Sequence, residues 1–112
     1  MPDIPEIDVT QLAVRRREGA ALVDVREPSE FAAGRVPGGQ LIPLGEVAAR
    51  VAEVPRDGTV YVICAGGGRS AKAVEHLRAQ GIDAVNVAGG TRSWIEAGFP
   101  IDADPESGLG HA

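Results

Sequence analysis

The chain contains one cysteine, Cys64, and it stands where an apolar run gives way to three glycines: "VYVICAGGGRSAKA", Val60 to Ala73. Arg69 and Ser70 follow, and the spacing beyond them is helical. A helix starting near Arg69 or Ser70 leaves its first amide N–H groups without intrahelical partners. Consecutive glycines let the preceding backbone curl so that further N–H groups turn inward, because no Cβ restricts φ. The result is a nest of donors, reinforced by the helix dipole, that suits an anion. A thiol beside such a nest loses its proton more easily, and the thiolate is the nucleophilic form. Cys64 is therefore the candidate nucleophile. Ala65, Gly66, Gly67 and Gly68 are the candidate amide cradle, and Arg69 is the loop side chain able to pair an anion. Ser70 either donates into the loop or caps the helix.

Other readings of the same stretch are weaker. Gly68-Arg69-Ser70 mimics the end of a phosphate-binding P-loop, but the earlier glycine that motif requires falls on Ile63, and its lysine is an arginine. Gly66, Gly68 and Ala71 fit a dinucleotide fingerprint. The next strand, however, ends in Ala88-Gly89-Gly90 with no acid for a ribose, and too little chain follows for a second half. The bland alternative is a small buried cysteine ending a strand ahead of a flexible turn. A metal site would need His76 and His111 beside Cys64. His76 shares a helix face with Lys72 and Glu75 and reads as solvated, and His111 lies near the end of the chain, so no metal ligand set is assigned.

Apolar runs of strand length must position this loop. "ALVDV" (Ala21 to Val25), "VYVIC" (Val60 to Cys64) and "AVNV" (Ala84 to Val87) are strand candidates. "QLIPL" (Gln40 to Leu44) is a short one, and "EID" (Glu6 to Asp8) a fragment at a sheet edge. Near-continuous apolarity suits strands covered on both faces. Helices fit between them. Asp8 with Gln11 forms a capping-box pattern that opens a helix to about Glu18, with Arg15, Arg16 and Arg17 on its exposed end. Leu44, Val47, Ala48 and Val51 recur at helical spacing, as do Ala71, Val74 and Leu77 before Gly81. The alternation predicts an α/β fold: a central, mostly parallel, four- to five-stranded sheet with helices on both faces. In such sheets ligands sit beyond the carboxyl ends of the strands, where Cys64 lies. Asp24 and Arg26 follow another such end and could brace the site by pairing with each other or with Arg69.

The totals narrow the function class. At 112 residues the chain suits one domain, over residues 1–101, with the polar segment from Asp102 to the end read as a flexible tail. A net charge of −5 argues against nucleic-acid binding and against an anionic membrane surface. No stretch approaches the ~20 apolar residues of a membrane span, and the start, "MPDIPEIDVTQ", lacks the character of a secretory signal. A single thiol cannot form an internal disulfide, so the cytoplasm is the expected location.

Three segments, in order, resemble the rhodanese family of sulfurtransferases, over about residues 4–101. "LVDVREPSEFAAGRVPGGQLIPLGEV" (Leu22 to Val47) resembles the first signature, "CAGGGRS" the active-site loop, and "VAGGTRSWIEAGFPI" (Val87 to Ile101) the C-terminal signature. Family members often carry histidine where this chain has Arg35, which could steer an anionic donor. The resemblance implies a rhodanese-like fold and a two-step transfer without metal or organic cofactor. The Cys64 thiolate would take the outer sulfur of a donor such as thiosulfate, and the resulting persulfide would pass it to an external thiol or to cyanide. The expected partners are thus a small anionic donor and a thiol acceptor, with oxidation of an exposed thiolate as the hazard. A persulfide carrier or binding module that turns over little is the alternative. A cysteine phosphatase or arsenate reductase is more remote: phosphatases need five residues between Cys and Arg, and here four separate Cys64 from Arg69. Glu30, Phe31 and Trp94 read as structural.

Overall fold

Residues 3–105 are described by a computed structural model. Strands β1 (Glu6–Ile7), β2 (Ala21–Asp24), β3 (Gln40–Leu41), β4 (Val60–Ile63) and β5 (Ala84–Val87) form one sheet in the order β1-β5-β4-β2-β3. Every neighbouring pair is parallel. Parallel neighbours require crossovers: helix α1 (Val9–Arg17) joins β1 to β2, α2 (Pro28–Ala33) joins β2 to β3 and α3 (Gly68–Ala79) joins β4 to β5, while α4 (Gly90–Glu96) follows the last strand.

Alternation along the central strands sends side chains to two cores. Val23, Val60 and Val62 pack with Ala73, Val74 and Leu77 of α3 on one face. Leu22, Tyr61 and Ile63 pack with Leu12 of α1 and Trp94 of α4 on the other. Both faces are thereby covered, and the apolar runs are explained. Trp94 packs as expected, 4.8 Å from the Phe99 ring between centroids, with its indole N–H donating to the Pro100 carbonyl at 2.7 Å.

The capping box of α1 forms as read. The Gln11 amide donates to Asp8 Oδ1 at 2.8 Å, and the Asp8 amide donates to Gln11 Oε1 at 2.9 Å. At the other end of α1, Arg16 departs from the exposed role expected of it. It is half-buried and donates to the carbonyls of Ala20 and Pro37, tying α1 to the loop before β3.

Three further differences have physical causes. The helical spacing from Leu44 to Val51 builds two single 3-10 turns, Leu44–Glu46 and Val51–Glu53, instead of an α-helix. Pro43 precedes the first of these and Gly45 lies within it, and the Leu44 amide is already held by the Val25 carbonyl at 3.0 Å. Leu44, Val47 and Val51 still face the core, so the spacing reported burial correctly and conformation wrongly. Helix α2 was not anticipated. It is only six residues long, and Pro28 in its first turn with the Glu27–Glu30 capping pair is its sequence signal. Residues 102–104, assigned to a flexible tail, are hydrogen-bonded: Asp102 exchanges backbone bonds with Arg35, and the Asp104 amide donates to the Ala32 carbonyl at 2.8 Å. Residues 106–112 of that tail, His111 among them, lie outside the described residues.

Candidate active site

Cys64 directly follows the carboxyl end of β4, and α3 begins four residues later at Gly68. The chain turns between them through Gly67, whose φ of +109° lies in the left-handed region open to glycine. This turn aims the Gly67 amide at the sulfur, with N to Sγ at 3.0 Å. The Ser70 hydroxyl donates to the same Sγ at 3.3 Å from within the first turn of α3. Ser70 therefore serves the loop, and Gly67 occupies the cap position.

Burial alone pushes the Cys64 thiol up. The Ser70 hydroxyl and the amides of Ser70, Gly67 and Gly66 outweigh it, and the net shift is below the ordinary thiol value. The exposed thiolate expected from sequence is corrected on one point: Cys64 is 1% exposed, so its sulfur sits inside the cradle.

The loop owes its orientation to α4. The Thr91 amide donates to the Cys64 carbonyl at 2.8 Å, joined by the Thr91 hydroxyl at 3.1 Å, and the Arg92 amide donates to the Ala65 carbonyl at 3.0 Å. With these carbonyls drawn outward, the amides that follow are free to face the sulfur. The approach is close enough to require Gly90: a Cβ there would lie 2.6 Å from the Ala65 carbonyl oxygen, and φ is +60°. Asn86 of β5 braces the loop from beneath, its Nδ2 donating to the Gly67 carbonyl at 3.3 Å and to Glu6 at 2.8 Å. Sequence reasoning passed over Asn86. Its signal was a polar residue within the otherwise apolar "AVNV".

The charged candidates sort differently from expectation. Asp24 and Arg26 pair with each other, buried, with Arg26 Nη2 to Asp24 Oδ2 at 2.9 Å. Arg26 also donates to the Gly34 carbonyl at 2.9 Å and the Glu30 carbonyl at 3.3 Å, fixing α2 against β2. Arg69, expected to face the bound anion, instead makes a two-pronged pair with Glu30 of α2 at 2.8 and 2.9 Å. The Arg69 hydrogen bonds hold the Glu30 carboxyl down at about 2. That pair favours the fold above the ordinary carboxylate range, and its contribution fades as pH falls toward 2. Arg35 is also committed, to Asp104 at 2.9 Å and over the Phe31 ring at 4.7 Å. Arg92, which the sequence reading did not single out, lies over Gly66: a Cβ on Gly66 would meet its Nη1 at 3.4 Å.

A Rhodanese-like domain family matches residues 8–97. The chain belongs to that family. A sulfurtransferase of Allochromatium vinosum is 37% identical over 103 residues, covering 89% of this chain and 96% of its own. The thiosulfate sulfurtransferase GlpE of Pseudomonas putida is 35% identical over 92 residues, covering 81% and 83%. The crystal structure of a rhodanese-related protein from Thermoplasma volcanium superposes with a TM-score of 0.83 at 37% identity, covering 89% of this chain and 99% of that one. The rhodanese-like fold expected from the three signatures is the fold present, and the family matches support a sulfurtransferase.

In this rhodanese-like chain the Ser70 hydroxyl is the one side-chain donor on the sulfur among the described residues, which makes its contribution measurable. Ser70→Ala should slow alkylation of Cys64 by iodoacetamide at neutral pH about tenfold, the order of one lost hydrogen bond to a charged acceptor. The alkylation profile should move to more alkaline pH, and the rate at high pH should be nearly unchanged. A profile identical to that of the parent chain would remove Ser70 from the site.

Proposed function

We propose that the chain transfers a sulfane sulfur from a small anionic donor such as thiosulfate to an external thiol, or to cyanide in vitro, through a persulfide on Cys64. The Cys64 thiolate attacks the outer sulfur of thiosulfate, and a new sulfur–sulfur bond forms at Sγ. The bond to the sulfonate sulfur breaks, its electron pair leaves with sulfite, and Cys64 carries a persulfide anion. The acceptor thiolate then attacks the terminal sulfur and regenerates the Cys64 thiolate. Splitting the transfer in two is nucleophilic covalent catalysis. The single observation that carries this reading is the pair of hydrogen bonds on Sγ, from the Gly67 amide at 3.0 Å and the Ser70 hydroxyl at 3.3 Å. They hold the negative charge in the thiolate and, after transfer, in the persulfide, as an oxyanion hole does for oxygen. The chain has one cysteine, so the acceptor comes from outside.

The phosphatase reading loses ground because the guanidinium it would need is held by Glu30. The carrier reading draws support from the loop itself: Ala65, Gly66, Gly67 and Gly68 offer no side chain longer than a methyl to recognise a donor. One experiment tests both. Mass spectrometry of the intact chain after incubation with thiosulfate should show a gain of one sulfur atom, lost again on adding cyanide. Loading only by a cysteine desulfurase would favour the carrier. Loading by no sulfur source would end both readings.

A further inference from the structure

The cations around the loop are not equivalent. Arg69 is neutralised by Glu30, Arg26 by Asp24 and Arg35 by Asp104. Arg92 is exposed, and among the described residues its guanidinium has no carboxylate partner and no side-chain hydrogen bond. Its backbone is not free: the Arg92 amide is bonded to the Ala65 carbonyl, which anchors the base of this side chain to the loop. Its guanidinium lies over Gly66, the residue before the Gly67 amide that donates to Sγ. Gly66 carries no side chain to separate the two. A chain of net charge −5 repels an anionic donor as a whole, and a local unpaired positive charge beside the loop offsets that repulsion.

Resting on the sulfur-transfer reading, we infer that Arg92, and not Arg69, is the residue that recognises the donor, receiving the sulfonate of a thiosulfate-like molecule while its outer sulfur meets Cys64. A planar guanidinium can offer two parallel N–H donors to two sulfonate oxygens. The amide cradle then takes the sulfur, and Arg92 retains the oxyanion that departs as sulfite. This divides the labour between backbone and side chain, and it supplies the donor contact that a loop of alanine and glycine lacks.

The test uses Arg92→Gln and Arg92→Lys in the full chain with two readouts. In thiosulfate–cyanide turnover, Arg92→Gln should raise KM for thiosulfate about tenfold or more with kcat within about twofold, and Arg92→Lys should recover part of the loss. The second readout compares alkylation of Cys64 by iodoacetate and iodoacetamide, which share a reacting carbon and leaving iodide and differ in charge. Arg92→Gln should lower the iodoacetate-to-iodoacetamide rate ratio several-fold and leave the iodoacetamide rate as it was. An unchanged ratio, or a KM within twofold of the parent, overturns the assignment. A parent chain that gains no sulfur from thiosulfate refutes the function, and the alkylation ratio then still decides whether Arg92 reads anions.

Discussion

Cys64→Ser should abolish sulfur transfer, with turnover of thiosulfate and cyanide falling by at least about 10³-fold, to the level of the uncatalysed reaction. Serine places a hydroxyl in the same cradle and can accept the same Gly67 and Ser70 hydrogen bonds, so the fold should survive. Its oxygen is far less acidic than a thiol and cannot carry a sulfane sulfur at neutral pH. Circular dichroism and melting temperature should match the parent closely, since the side chain changes little in volume. Mass spectrometry of the variant after thiosulfate should show no added sulfur. Residual transfer above about 1% of the parent rate would mean that the reaction does not pass through Cys64.

Asp24→Ala should have the largest effect on stability of any single change near the site. The Asp24 carboxylate is 1% exposed and its Arg26 partner 5% exposed. Removing one member of a buried pair strands the other charge, at a cost of about 3–5 kcal/mol. For a domain whose total stability is about 5–15 kcal/mol, that is a large share. The melting temperature should fall by on the order of 15 °C. The damage should spread in a definite direction. Arg26 holds the carbonyls of Glu30 and Gly34 at the two ends of α2's last turns, and Glu30 in turn holds Arg69 in the first turn of α3. Loss of Asp24 therefore loosens the helix start that shapes the cradle. Replacing both members, as Asp24→Leu with Arg26→Met, should be markedly less harmful than Asp24→Ala. A melting temperature within about 2 °C of the parent for Asp24→Ala would show that Arg26 finds other compensation.

The strands and the loop were legible because their determinants are local. "VYVIC" followed by three glycines is a strand end and a turn whatever surrounds it, and Asp8 with Gln11 caps a helix within four residues. The segment from Leu44 misled because burial and helical spacing coincide there without a helix: the core selects Val47 and Val51, while Pro43 and the Val25 carbonyl dictate the backbone. The charged residues were hardest to assign. Whether Arg69 faces a substrate or a carboxylate depends on where α2 lies, and Glu30 is 39 positions away in sequence. Arg92 stood inside a quoted signature, yet its position over Gly66 follows from the docking of α4 on the loop, which no spacing rule contains.

The bonds from Thr91 and Arg92 to the carbonyls of Cys64 and Ala65 bear on when the nucleophile comes into being. The peptide planes that acidify the thiol are oriented by a segment that leaves the ribosome more than twenty residues after the cysteine itself. The donor geometry at the sulfur is thus complete only once the last helix has docked, so the nucleophile is a product of the finished domain and not of its own loop alone.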